Sequence, residues 1–80
     1  MTVGLQADYT LDVRGLFCPS PVLKAREEMD RLQAGQTLQI IASDPATQED
    51  IPRWAKRAGY EVLSLTRSGQ DITFVIRKGS

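Results

Sequence analysis

The stretch Tyr9-Thr10-Leu11-Asp12-Val13-Arg14-Gly15-Leu16-Phe17-Cys18-Pro19-Ser20-Pro21 decides how this chain of 80 residues is read. Tyr9, Leu11 and Val13 alternate with Thr10, Asp12 and Arg14, the period of a half-buried strand, and Gly15 stops it. Beyond the two prolines the period changes. Val22, Ala25, Met29 and Leu32 recur at helical spacing, while Lys24, Arg26, Glu27, Glu28, Asp30 and Arg31 occupy the remaining face. One period gives way to the other across a turn that carries the chain's single cysteine, Cys18.

Working outward, Gly35 reads as a left-handed cap on that helix. Alternation returns in Leu38, Ile40 and Ala42, a second strand, and Asp44-Pro45 breaks it. Pro52 has no N–H and clashes inside a helix, so the next helix is predicted to start with Asp50 as N-cap, residues 44–49 forming a separate turn. Ile51, Trp54, Ala55 and Ala58 mark its buried stripe, and Gly59 closes it. In the following strand Leu63 and Leu65 share a face. Ile72, Phe74 and Ile76 share one in the last, and Ser68-Gly69 between the two strands is a hairpin signal.

The order is therefore β-α-β-α-β-β. A right-handed crossover makes the first two strands parallel, and the closing hairpin is antiparallel. An α+β fold follows, a two-layer α/β sandwich in which a mixed four-stranded sheet carries both helices on one face. Thr10, Asp12, Gln39, Thr73 and Arg77 fall on the other, wet face. Residues 1–80 form one domain, with 1–8 as a loose lead-in. The pattern does not fix the order of strands across the sheet.

Composition removes whole classes of function. Ten Lys+Arg balance ten Asp+Glu, so the strong positive excess of a nucleic-acid module is missing and direct nucleic-acid binding is not expected. The apolar runs are far too short to span a membrane. Met1–Leu5 has neither the basic start nor the apolar stretch of a secretory signal, so a cytoplasmic monomer is the expectation. With no histidine and one cysteine, an internal disulfide, a multi-thiolate zinc site and a Cys–His or Ser–His pair are ruled out. No metal and no cofactor are expected. Any chemistry has to be what a solitary thiol can do.

The setting of Cys18 bears on whether it is reactive. Pro19 biases it toward extended backbone, which suits an N-cap residue, with Pro19 then at N1 and Pro21 at N3. Pro21 has no N–H, which leaves Ser20 as the backbone donor for the sulfur. A helix N-terminus favours an anion by about 0.3–1 kcal/mol, so this placement is expected to lower the thiol pKa, with Arg14 and Lys24 as candidate cations beside it. The competing reading is that Cys18, like most lone cysteines, is an inert core residue.

The segment Leu11–Pro21 resembles the signature of the TusA (SirA-like) sulfur-carrier family, whose hallmark is C-P-x-P. Gly35, Asp44-Pro45-Ala46-Thr47, Asp50-Ile51-Pro52 and Ile76-Arg77-Lys78-Gly79 extend the resemblance over nearly the whole chain. Ser20 fills the variable slot, Tyr60 stands where many members have histidine, and Trp54-Ala55 where some carry a second cysteine. The resemblance implies a small two-layer sandwich and a sulfurtransferase role. Cys18 would accept sulfane sulfur as a persulfide from a cysteine desulfurase or rhodanese and hand it to an acceptor sulfurtransferase protein with a reactive cysteine. Such relays serve tRNA thiolation, molybdenum-cofactor assembly or sulfur oxidation. Gly15, Pro19, Ser20 and Pro21 would shape the turn. One cysteine suits a carrier, since a second thiol would attack the persulfide and release sulfide.

Other features have weaker claims. Lys24 and Arg26 lie on a mixed charged helix face that is ordinarily just solvated, yet charges around a thiol steer docking. Asp44 and Asp50 have structural explanations as turn and cap residues, while the end of the second strand is expected near the end of the first, bordering Cys18. Trp54 reads as core, and Arg53, Lys56, Arg57, Arg67, Arg77 and Lys78 make the C-terminal half locally basic. Two further functions compete with the relay: a regulatory or interaction module in which Cys18 is structural, and a thiol redox sensor.

Overall fold

The computed structural model describes residues 7–79. In chain order it contains β1 (Tyr9–Asp12), α1 (Ser20–Arg31), β2 (Thr37–Ala42), α2 (Thr47–Ala58), β3 (Glu61–Ser68) and β4 (Asp71–Arg77), an α+β fold. The sheet order is β1-β2-β4-β3. β1 and β2 are parallel, and β4 runs antiparallel to both β2 and β3. Of the expected lead-in, residues 1–6 lie outside the described residues. Asp8 is tied down, its N–H donating to the Thr37 carbonyl at 3.1 Å and its carboxylate accepting from the Thr37 N–H at 2.8 Å.

The core lies between the sheet and the two helices. Leu38, Ile40 and Ala42 of β2 and Ile72, Phe74 and Ile76 of β4 point to one side by the two-residue strand period. They meet Ala25 and Met29 of α1 and Ile51 and Ala55 of α2 in one buried cluster. Each helix thus buries a stripe at spacing i, i+4. On the opposite face Thr10, Asp12, Gln39, Thr73 and Arg77 stand as expected. Val75, paired with Gln39 and Ser64, is nevertheless nearly buried there among its neighbours.

Four sequence expectations are corrected. α2 starts at Thr47 and contains Pro52 in its interior. The start is fixed by Asp44, whose carboxylate accepts the Ala46 N–H at 3.1 Å and whose carbonyl accepts from the Thr47 N–H and hydroxyl at 3.0 and 2.6 Å. Burial of Thr47, Ile51 and Ala55 along that helix outweighs the one backbone bond that Pro52 cannot donate. Ala58, expected in the stripe, is exposed because the helix has turned away from the core by its last residue.

Gly35 does not cap α1, whose C-cap is Leu32 in extended geometry. It instead occupies the third position of the turn Gln33–Gln36 with φ +90°, a position that favours glycine. In β3 an irregularity between Val62 and Ser64 shifts the alternation, so Val62 lies opposite Ile76 and Leu65 opposite Phe74. Val62 thereby joins Leu65 on the core side, a pair that strict alternation does not give, and Leu65 remains 40% exposed.

The far end of α1 is closed by Lys78, one of the residues that make the C-terminal half locally basic. Its Nζ donates to the Met29 and Leu32 carbonyls at 2.9 and 2.7 Å, a cation on the negative end of a helix. Lys78→Met removes both bonds and is expected to cost about 1–2 kcal/mol, read as a lower urea midpoint with an unchanged slope. A midpoint equal to wild type would return Lys78 to the surface charges.

Candidate functional site

The loop from β1 to α1 begins with a turn in which the Leu16 N–H donates to the Val13 carbonyl, with Gly15 at φ +85° in its third position. The Gly15 N–H donates to the Ser43 hydroxyl at 2.9 Å, and the Cys18 N–H donates to Asp44 Oδ2 at 2.9 Å. Two loops that leave the carboxyl ends of the parallel strands β1 and β2 are thereby joined, the usual place for a site on such a pair. Asp44 holds both sides of this junction, with one oxygen on Cys18 and the other on Ala46.

Cys18 is exposed, which removes the reading of an inert core thiol. It is not the N-cap. Pro19 occupies that position, after a cis peptide bond, and no side chain caps the helix. The Ser20 N–H, expected to face the sulfur, donates to the Phe17 carbonyl at 2.9 Å. Pro21 sits in the first turn of α1 and is buried. The sulfur thus stands one residue before the N-cap, without a backbone donor of the first turn.

The expected lowering of the thiol pKa is reversed. Asp50 stands beside the sulfur and pushes the Cys18 thiol above its ordinary value, first by accepting from the S–H; shielding from water and the charges of Asp50 and Asp44 act in the same direction. The cations expected to oppose this are elsewhere. Arg14 binds Asp12 at 2.7 Å and Asp71 at 3.3 Å on the solvent side of the sheet, where it holds the Asp12 carboxyl down at about 2. Lys24 and Arg26 are exposed on α1 and do not line the groove at Cys18.

That groove, of about 290 Å³, is lined by Cys18, Pro19, Val22, Asp50, Arg53, Trp54 and Arg57. Val22 and Trp54 supply apolar surface. Trp54 also packs against the core and meets Tyr60 edge-on, ring centroids 5.6 Å apart. Arg53 lies 3.6 Å from Glu49 and 4.0 Å from Asp50, while Arg57 has no ion-pair partner among the described residues. Sequence reasoning did not place Arg53, Trp54 and Arg57 at the thiol. The signal was present: Asp50, Arg53, Trp54 and Arg57 are spaced i, i+3, i+4 and i+7, one helix face. A helix start at Asp50, with that residue as its cap, hides this face.

No group of three or more metal-ligating side chains occurs among the described residues, and no described helix is long and apolar enough to cross a membrane. The chemistry available is that of an exposed thiol, flanked by carboxylates, at the mouth of an open groove.

Known proteins resemble this chain in sequence and in fold. The family model described as Sulfurtransferase TusA matches residues 9–78. The "Putative sulfur carrier protein YrkI" of Bacillus subtilis (strain 168) is 35% identical over 75 residues, covering 94% of this chain and all of that protein. The crystal structure of a SirA-like protein from Desulfitobacterium hafniense superposes with a TM-score of 0.79. It covers 90% of this chain and 99% of that one, and at 23% identity it speaks for the fold.

Replacing Asp50 by Asn removes the acceptor charge that disfavours the thiolate. At any pH below the thiol's midpoint the ionised fraction of Cys18 then rises. Alkylation of Asp50→Asn by iodoacetamide at pH 8 is expected to outpace wild type, with the midpoint of its pH profile displaced downward. Superimposable profiles would remove Asp50 from the electrostatics of the thiol.

Proposed function

The chain belongs to the TusA family of sulfurtransferases, and from that membership and the geometry at Cys18 we propose that it is a persulfide carrier in a sulfur relay. The observation that carries this reading is that the chain's sole thiol is exposed at the mouth of an open groove. The Cys18 thiolate attacks the outer sulfur of a persulfide on a donor protein, a cysteine desulfurase or rhodanese. A new S–S bond forms to Cys18, the donor's S–S bond breaks, and the donor cysteine departs as a thiolate. The proton released from Cys18 goes to that thiolate or to water. In the second half an acceptor cysteine attacks the outer sulfur of Cys18-S-SH, and Cys18 becomes the leaving thiolate. Both steps are exchanges at sulfur that need no external oxidant.

The remaining residues act on position and on protonation. Asp44 and the turn at Gly15 fix the backbone of Cys18. Pro19, Ser20 and Pro21 set where α1 begins, so the sulfur is offered outward from the helix. Asp50 holds the resting thiol protonated, which keeps an exposed cysteine from oxidation between loadings. The thiolate that does form is correspondingly more nucleophilic. A raised thiol pKa and the absence of a second thiol weigh against the redox-sensor reading, and exposure weighs against a purely structural cysteine. Lys24 and Arg26, exposed on α1, are placed to steer approach rather than to act on the sulfur.

The test is direct. After incubation with a cysteine desulfurase and free cysteine, the intact mass of the wild-type protein is expected to increase by one sulfur atom, and reduction is expected to remove it. Cys18→Ser is expected to gain none. A Cys18→Ser protein that gains as much as wild type, or a wild type that gains none, would overturn the proposal.

A further inference from the structure

Phe17 is 73% exposed, the most exposed large hydrophobic side chain among the described residues, ahead of Leu23 at 50% and Tyr9 at 48%. It directly precedes Cys18, so the two Cα atoms are about 3.8 Å or less apart. Its backbone is held: the Phe17 carbonyl accepts the Ser20 N–H at 2.9 Å, and the next residue is anchored to Asp44. An ordered backbone presenting an uncovered aromatic ring beside a nucleophile needs an explanation, because the ring adds nothing to the core cluster. For sulfur to pass between two proteins, a foreign sulfur must come within bonding distance of Cys18, and the body that carries it then covers surface around that residue. The charge pattern at the groove adds a second point of contact. Arg53 is occupied by Glu49 and Asp50, whereas Arg57 has no ion-pair partner among the described residues.

We infer that Phe17 is the docking anchor for the sulfur-donating protein. The surface it fits is an apolar recess beside the donor's persulfide cysteine, with a carboxylate placed to meet Arg57. The inference rests on the carrier reading above and adds the shape and charge of the partner. Aromatic anchors seated in pockets dominate protein interfaces, and an ion pair at the rim makes association salt-sensitive. The transferred atom is the donor's outer sulfur, and the bonds formed and broken are those already described.

The test compares a macromolecular donor with a small one. Wild type, Phe17→Ser, Phe17→Leu and Arg57→Glu are loaded by a cysteine desulfurase with cysteine, by a persulfidated rhodanese, and by glutathione persulfide. Phe17→Ser is expected to lose about tenfold or more in uptake rate from at least one protein donor. Its loading by glutathione persulfide and its thermal midpoint should stay close to wild type, while Phe17→Leu keeps most of the protein-donor rate. Arg57→Glu is expected to slow protein-donor loading and to reduce its dependence on salt.

Uptake by Phe17→Ser within twofold of wild type from both proteins would overturn the inference. So would a parallel loss with glutathione persulfide, since Phe17 would then act on the thiol itself. A wild type that loads from glutathione persulfide but from neither protein overturns the docking surface alone. A wild type that loads from none of the three overturns the carrier reading as well.

Discussion

The carboxylate of Asp44 is the contact on which the arrangement at the thiol depends. One oxygen receives the Cys18 N–H, the other receives the Ala46 N–H at the entrance to α2, and the carbonyl of the same residue receives Thr47. A single side chain therefore starts one helix and fixes the loop that precedes the other. Charge-assisted bonds of this kind are stronger than neutral ones. Here their geometric effect matters most, because the sulfur and the α2 face lining its groove are referred to one common point. The Ser43 hydroxyl on Gly15 makes a parallel tie between the same two loops.

The electrostatics run opposite to the usual picture of an activated cysteine. A helix N-terminus and nearby arginines ordinarily favour a thiolate. In this chain the first turn's Ser20 N–H is spent on Phe17, and Arg14 is engaged with Asp12 and Asp71. The charged groups that act on the thiol's protonation are negative, Asp50 beside it and Asp44 behind it, although Arg53 and Arg57 line the same groove. The thiol is consequently exposed yet held in its less reactive form. Under the proposed relay, that combination leaves the reaction to be decided by an arriving partner rather than by dissolved oxidants.

Much of the fold was legible because it is written in period. The strand alternation around Tyr9–Asp12, the helical spacing from Val22 to Met29 and the apolar alternation of β4 each have one interpretation. The failures have particular causes. Pro52 is a local signal against a helix interior, and it lost to a longer stripe, Thr47–Ile51–Ala55, that only tertiary burial reveals. The irregularity at Val62–Ser64 adds a residue to the register, which no two-residue pattern can announce. At the site, Cys18 stood out as a solitary thiol between a turn and two prolines. The sign of its pKa shift did not, since it depends on Asp50 arriving from a helix thirty-two positions onward in the sequence.

Lys78 and the cysteine sit at opposite poles of the sheet. β1 and β2 run toward the sulfur, while β4 runs antiparallel to β2 and ends where Lys78 clasps the far end of α1 and exchanges backbone bonds with Gly35 and Gln36. The anchoring contacts and the exposed thiol are thus separated along one axis. A fusion partner or solid support joined after Gly79 would hang from the anchored pole, and the reactive pole would still face outward, unobstructed.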